Sequence, residues 1–349
     1  MITISHIDNS GSDAYNRFEF QLACAFTSFL KLSETNENFY ILLDYIDDFV
    51  IVDNPDDDDE AITFVQVKSQ KGKAITLHTV VTKEWILKQA KNYESFVDDN
   101  VKNILLTNLG ISVKSKVFDS VALTPFNSLD KDDDLKELKD QIFGKTSINT
   151  LENFYILRSS ISIDSYESEL KGQMQEYANK NGLSALTVEA METIYIKIWN
   201  DLERKQRCVL SDEEKKDNSV ILDKKGMKYS RIKDVFRTAL DIQLPPNGAI
   251  SDFCRNNSLN IASLSISEFG KLFREFRVEA VKNGMSILEE CWTHLRENKD
   301  EIDESGGTSS VSTSIILSLD KNCIVNSSAF YQKYKYCIST FFTYKLMQF

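Results

Sequence analysis

Gln66 and Lys68 are the two polar side chains of the run Phe64-Val65-Gln66-Val67-Lys68. In a β-strand successive side chains alternate faces, so these two point the same way. An amide oxygen, a lysine ammonium and an upstream aspartate can together build a one-metal site for phosphodiester cleavage. The acidic segment Asp44 to Glu60 supplies the aspartate, and Asp48 stands where a second apolar run, Phe49-Val50-Ile51-Val52, begins. A carboxylate and an amide carbonyl on paired strands could hold one magnesium ion, which takes oxygen ligands and keeps several waters. Such an ion would polarise the phosphate and acidify a water, while Lys68 would orient that water and offset charge developing in the transition state. Glu19 or Gln21, upstream, could add one more polar side chain. Asp44, Asp47 and Asp53 are rivals of Asp48 for the ligand role. A Gln-x-Lys strand is by itself a common solvent-facing stripe, so its setting decides its weight.

The elements that must position these residues follow from periodicity. Phe18, Leu22, Ala25, Phe26 and Phe29 recur at helical spacing, and Gly11-Ser12-Asp13 is a start signal, which predicts a helix from Asp13 to Lys31. Asn38 to Asp44, Phe49 to Val52 and Ala61 to Val67 predict three strands, the last two forming a hairpin. A helix over Thr79 to Asp98, a buried strand over Val101 to Thr107 and a late strand within Phe154 to Ile163 complete a compact α/β unit. From Ser165 the texture is helical, over Tyr166 to Asn181, Ser184 to Arg207, Arg231 to Asp241 and Ser267 to Asn298. Pro245-Pro246-Asn247-Gly248 is a strong breaker. Ser305 to Ser314 (SGGTSSVSTS) has the composition of a flexible linker. The aromatic stretch Asn326 to Phe349 is too apolar for a free end, and packing on the body or on another subunit is expected.

Composition narrows the function classes. The chain has 53 acidic and 41 basic residues, a net charge of −12. That argues against a protein that coats DNA unaided, because non-specific affinity rests on lysine and arginine at phosphates. A local basic groove, or a partner that delivers the substrate, stays open. The six cysteines form no C-x-x-C pair and the three histidines are scattered, which argues against structural zinc and for reduced thiols. The run Asp56 to Glu60 lacks calcium-loop spacing and reads as solvated. No apolar run approaches the roughly 18–20 residues of a membrane span. The N-terminus shows no secretory pattern, so a cytoplasmic location is expected.

The order of these features resembles the PD-(D/E)xK nuclease superfamily, in its variant with glutamine at the middle acidic position. "YNRFEFQ" (Tyr15 to Gln21), "FVQVKSQ" (Phe64 to Gln70), the helix containing Trp85 and "ILLTNLG" (Ile104 to Gly110) look like the nuclease domain of the CD-NTase-associated antiphage effectors. A similar domain is used by the nuclease subunit of Lamassu-type defence systems. The resemblance implies an α+β fold, with a restriction-endonuclease-like α/β nuclease core over residues 1–150. A mainly α-helical C-terminal half would follow, divided into a partner or assembly domain (151–304) and a linker with the aromatic segment (305–349). It implies a double-stranded DNA endonuclease dependent on Mg2+ or Mn2+. Lys68 carries over as the catalytic lysine, Gln66 as the middle position, Asp48 as the upstream aspartate, and Gln21, with Glu19 as rival, as the first-helix position. The family's strand opens with glutamate where this chain has Asp44, so Asp44 and Asp48 both stand as metal ligands. CD-NTase-linked effectors carry a nucleotide-sensing domain after the nuclease. The helical texture of residues 151–349 instead suits a Lamassu-like arrangement, in which SMC-like and accessory subunits restrain the nuclease. A homo-oligomer is expected in the active state, since one metal site nicks one strand at a time. The alternative is a catalytically degenerate nuclease-fold scaffold, suggested by glutamine at position 66.

Overall fold

β-Branched and aromatic residues concentrate in the inner strands of the central sheet, and glycine and proline enter that sheet only at its two short edge strands. The computed structural model describes residues 10–55, 60–94, 96, 100–114, 116–129, 133–183, 186–257, 264–280, 284–302 and 307–347. By contacts the chain divides into two units, Met1–Gly182 with Tyr195–Asp234, and Leu183–Ile194 with Val235–Phe349. The sequence places the first boundary at residue 150. Contacts carry the first unit further, because it recruits a strand from residues 226–228.

The first unit begins with α1 (Ser10–Leu32), then β1 (Phe39–Leu43), β2 (Phe49–Asp53) and β3 (Ala61–Lys68). β4 (Ile75–Thr76), α2 (Leu77–Thr82), α3 (Trp85–Tyr93) and β5 (Val101–Thr107) follow. β6 (Ile111–Val113), β7 (Lys116–Phe118), β8 (Thr124–Pro125), α4 (Asp133–Lys145), β9 (Phe154–Arg158) and α5 (Tyr166–Lys180) come next. α6 (Val188–Arg207), α7 (Asn218–Lys225), β10 (Gly226–Lys228) and α8 (Tyr229–Asp241) lead toward the second unit. The main sheet has the order β10-β1-β2-β3-β5-β9-β8, and β4-β6-β7 form a small second sheet. β1, β2 and β3 are an antiparallel meander, as the predicted hairpin requires, whereas β3, β5 and β9 run parallel. β3 and β5 are buried almost end to end, the mark of parallel strands covered on both faces. Asp44 and Asn54, both with positive φ, make the tight reversals flanking β2; short polar side chains tolerate that region best.

α1 lays Phe20, Leu22, Phe26 and Phe29 into the core, with the Phe29 ring 4.9 Å from Phe39 of β1. The expected helix over Thr79 to Asp98 is instead two helices. Glu84 adopts the left-handed conformation (φ 54°) between them, its carboxylate 2.9 Å from Lys145 of α4, and this turn lets Trp85 and Ile86 enter the core. Residues 95, 97 and 98 of that expected helix lie outside the described residues, as do 56–59 of the acidic run.

β10 closes the outer edge of β1 through Tyr40↔Lys228, Ile41↔Met227 and Leu42↔Gly226. Gly226 is there because a Cβ would press against the Leu222 carbonyl and the Leu42 side chain. Overpacking of this kind costs roughly 1–3 kcal/mol. We therefore expect Gly226→Ala to lower the thermal midpoint of the first unit by several degrees, read by circular dichroism or calorimetry. An unchanged midpoint would mean that β10 moves freely.

The second unit is helical: α9 (Asn247–Asn256), α10 (Ile266–Glu279), α11 (Met285–Glu297), α12 (Thr308–Leu319), α13 (Cys323–Ser327) and α14 (Ala329–Leu346). The single helix expected over Ser267 to Asn298 is two, α10 and α11. The segment Ser305 to Ser314, read as a flexible linker, departs most from expectation. Residues 308–314 are helical, as the first part of α12, and residues 305 and 306 lie outside the described residues. Val311, Ile315 and Leu319, four residues apart, are buried and override the weak helix propensity of serine and threonine. The small residues also let α12 approach α14, where the Ser312 and Ser339 hydroxyls meet at 2.9 Å. The aromatic C-terminal stretch packs within this unit: Phe330, Tyr331, Tyr334, Phe341 and Phe342 of α14 are buried.

Candidate active site

β2 and β3 pair with Phe49 opposite Val65, and continuing that register one residue beyond β2 brings Asp48 opposite Gln66. Asp48 is the hub of the cluster. One carboxylate oxygen accepts a hydrogen bond from Gln21 Nε2 of α1 at 2.9 Å. The other accepts from the backbone N–H of Val67 at 2.6 Å and lies 3.7 Å from Lys68 Nζ. α1, the turn before β2, and β3 thus bring Gln21, Asp48 and Lys68 together, as their sequence positions predict.

Gln66 is buried and joins the cluster through the neighbouring aspartate. Its Nε2 donates to Asp47 Oδ1 at 3.3 Å, and Gln89 Nε2 of α3 donates to Asp47 Oδ2 at 3.4 Å and to the Ile104 carbonyl at 3.0 Å. Asp47 also accepts from the Asp48 backbone N–H at 3.2 Å. The other sequence candidates sit elsewhere. The Asp44 side chain is 69% exposed and 4.0 Å from Lys225. Asp53 lies at the far end of β2, opposite Phe39 and Ala61, and accepts from Asn36 Nδ2 at 3.0 Å. Glu19 accepts the Tyr166 hydroxyl at 2.7 Å and so ties α1 to α5.

Burial pushes the Asp47 carboxyl up to about 6, and the adjacent Asp48 charge adds to the shift. Burial also raises Asp48, against the lowering effect of Lys68. Two adjacent carboxylates held in a low-dielectric site resist ionising together. Gln66 and Gln89 each keep a buried Oε1 that has no hydrogen-bond partner among the described residues. A buried acceptor left unpaired is costly. A hard divalent cation relieves both costs, since it takes carboxylate and amide oxygens. The donor set therefore fits such an ion: Asp48 and Gln66 would hold it, with Asp47 beside them. When bound it supplies Lewis-acid activation of the phosphate and of a water. A second group, His78 of α2 with Asp134 and Glu137 of α4, brings its ligand atoms within 4.8 Å of one another. His78 Nδ1 is 3.4 Å from Asp134 Oδ1 there, so this histidine is less isolated than its sequence position suggests.

Gln89 escapes sequence reasoning. Its one signal is an amide standing among Ile86, Leu87 and Ala90 on an apolar helix face, where a polar residue needs a buried partner. Asn103 of β5 is similar: both its side-chain polar atoms are buried without partners among the described residues. Cys24, whose sulfur lies 3.7 Å from Ser159 Oγ, is raised to about 12 by burial and stays a neutral thiol.

The geometry accords with what comparison with known proteins finds. The family model for the Cap4 dsDNA endonuclease domain matches residues 9–206. No curated protein and no solved structure gives a match. The matched stretch is more than half of the chain and contains every member of the cluster, from Gln21 through Asp47, Asp48, Gln66 and Lys68 to Gln89. The chain belongs to the Cap4 dsDNA endonuclease domain family.

Proposed function

We propose that this protein is a divalent-metal-dependent endonuclease that cuts double-stranded DNA as the effector of an antiphage defence complex. Family membership supports the DNA-nuclease part of that reading. The observation that carries the metal dependence is the convergence on Asp48 of Gln21, Lys68 and the Val67 amide, beside the unpartnered buried Oε1 of Gln66. Two hydrogen bonds fix the Asp48 carboxylate, which places an acceptor in advance of substrate. Lys68, at the carboxyl end of β3 and 23% exposed, can reach a phosphate while anchored to Asp48. Mg2+, or Mn2+ in its place, is the ion such oxygen donors select.

The finer reading is a Lamassu-like arrangement, in which SMC-like and accessory subunits restrain the nuclease and oligomerisation brings two sites to the two strands. The net charge of −12 supports delivery of DNA by a partner. The purified chain, alone and with the products of its neighbouring genes, is to be incubated with supercoiled plasmid in Mg2+ or in EDTA. Nicked and then linear products in Mg2+ only are expected. Plasmid left intact in every mixture would overturn the endonuclease reading.

A further inference from the structure

The parallel strands β3, β5 and β9 end side by side, and their carboxyl ends open into a polar cleft of about 620 Å³. Open α/β sheets bind ligands at that end of their strands. Gln70 and Lys71 from the end of β3, Asn108 from the end of β5, Arg158 from the end of β9 and Arg17 from α1 line it. Its floor is rigid. Asn108 clamps Gln70 by accepting from its backbone N–H and donating to its carbonyl, both at 3.0 Å, and Ser159 N–H donates to the Thr107 carbonyl at 2.7 Å. Glu169 accepts from Ser162 N–H and Ser165 Oγ at 2.6 Å and is committed to closing its loop, and Asp164 also lines the cleft. Asp119 pairs with Arg158 Nη1 at 2.8 Å. Arg158 Nε and Gln70 Oε1 are buried without partners among the described residues.

We propose that this cleft binds a backbone phosphate of the DNA strand, within a few nucleotides of the phosphate that is cut, with the Arg158 guanidinium as its principal contact. The proposal rests on the endonuclease reading and adds where the strand runs. A guanidinium fork matches phosphate oxygens bidentately, and a half-used fork held by Asp119 keeps donors in reserve. Lys71 follows Lys68 by three residues, so their Cα atoms are at most about 11 Å apart. That is a few nucleotide steps at roughly 3.4 Å of rise per strand. The cleft therefore lies within reach of the strand bound at Lys68.

The test is fluorescence-anisotropy binding of a labelled 20-base-pair duplex in EDTA across a salt series. It compares the non-cleaving variant Lys68→Ala with Lys68→Ala carrying Arg158→Ala, Arg158→Lys or Asp119→Ala. Arg158→Ala is expected to weaken binding roughly five- to tenfold near 0.1 M salt and to lower the salt slope by about one. Arg158→Lys should keep the slope. Asp119→Ala, which removes the ion pair and a negative charge, should bind at least as tightly as the parent, whereas a purely structural Arg158–Asp119 pair would make it bind as weakly as Arg158→Ala. Unchanged affinity and slope in Arg158→Ala overturn the cleft while leaving the endonuclease reading standing. No duplex binding by the Lys68→Ala parent also overturns the cleft, whereas the endonuclease reading is decided by plasmid cleavage.

Discussion

Lys68→Ala is expected to slow double-stranded DNA cleavage by 10³-fold or more. Among the described residues its ammonium is the one cation paired with Asp48, and it stands at the carboxyl end of β3. Removing a positioned donor that meets charge developing in a transition state costs on the order of 3–4 kcal/mol, which is two to three powers of ten in rate. Loss of water orientation adds to this. Folding should survive, because the pair to Asp48 is partly solvated and such pairs contribute roughly 1 kcal/mol or less. Lys68→Arg keeps the charge but replaces a compact ammonium with a planar fork. It should restore little of the rate, which separates placement from charge. Plasmid-cleavage rates at saturating Mg2+, with thermal midpoints as the folding control, decide the matter. A rate for Lys68→Ala within tenfold of the parent would remove Lys68 from the chemistry.

The second large effect is a stability gain from removing a charge. In the metal-free protein the Asp47 carboxyl lies near 6, against 3.8 for the ordinary group. The folded state therefore binds this proton more readily than the unfolded chain. Asp47 stabilises the fold as pH falls through about 6, fully so below 3.8, and weighs against it at neutral pH. The difference corresponds to on the order of 2–3 kcal/mol. Asp47→Asn carries no charge to bury, and its amide can donate to the unpartnered oxygen of Gln66 or Gln89. In EDTA at pH 7.5 it should melt above the parent by roughly 4–12 °C. The gap should narrow as pH falls through about 6 and close only below 3.8, where Asp47 is neutral in both states. Added Mg2+ should raise the parent more than the variant, because an ion that binds the folded state stabilises it by mass action. Equal midpoints of parent and Asp47→Asn at pH 7.5 would show that the carboxyl is not under strain.

What sequence could reveal here was local. Alternation along Phe64 to Lys68 fixed which side chains share a face, and apolar runs marked β1, β2, β3 and β5. Lys68, Gln66 and Gln21 were placed by elements whose period is plain, and Asp48 by standing just before the apolar run of β2. The division of labour between Asp47 and Asp48 was not. Adjacent residues on a turn point in directions set by the turn, and a positive φ at Asp44 changes that geometry without any signature in polarity. Gln89 and Arg158 were invisible for another reason: their importance comes from packing partners far away in the chain. α12 shows the reverse error. Its serine-rich composition suggested a linker, yet three apolar residues on one face sufficed once a neighbouring helix was present to cover them.

β10 sets a timetable for synthesis. The residues around Asp48 leave the ribosome early, but β1 keeps an open edge until Gly226 to Lys228 are made. At roughly 5–20 residues per second, the stretch between Leu43 and Gly226 takes on the order of 10–40 s. During that interval the Phe39–Leu43 edge is a template for pairing with other chains. A host that makes this protein quickly, or a fragment that stops at residue 206, should meet its difficulty as insoluble nascent chains rather than as poor catalysis.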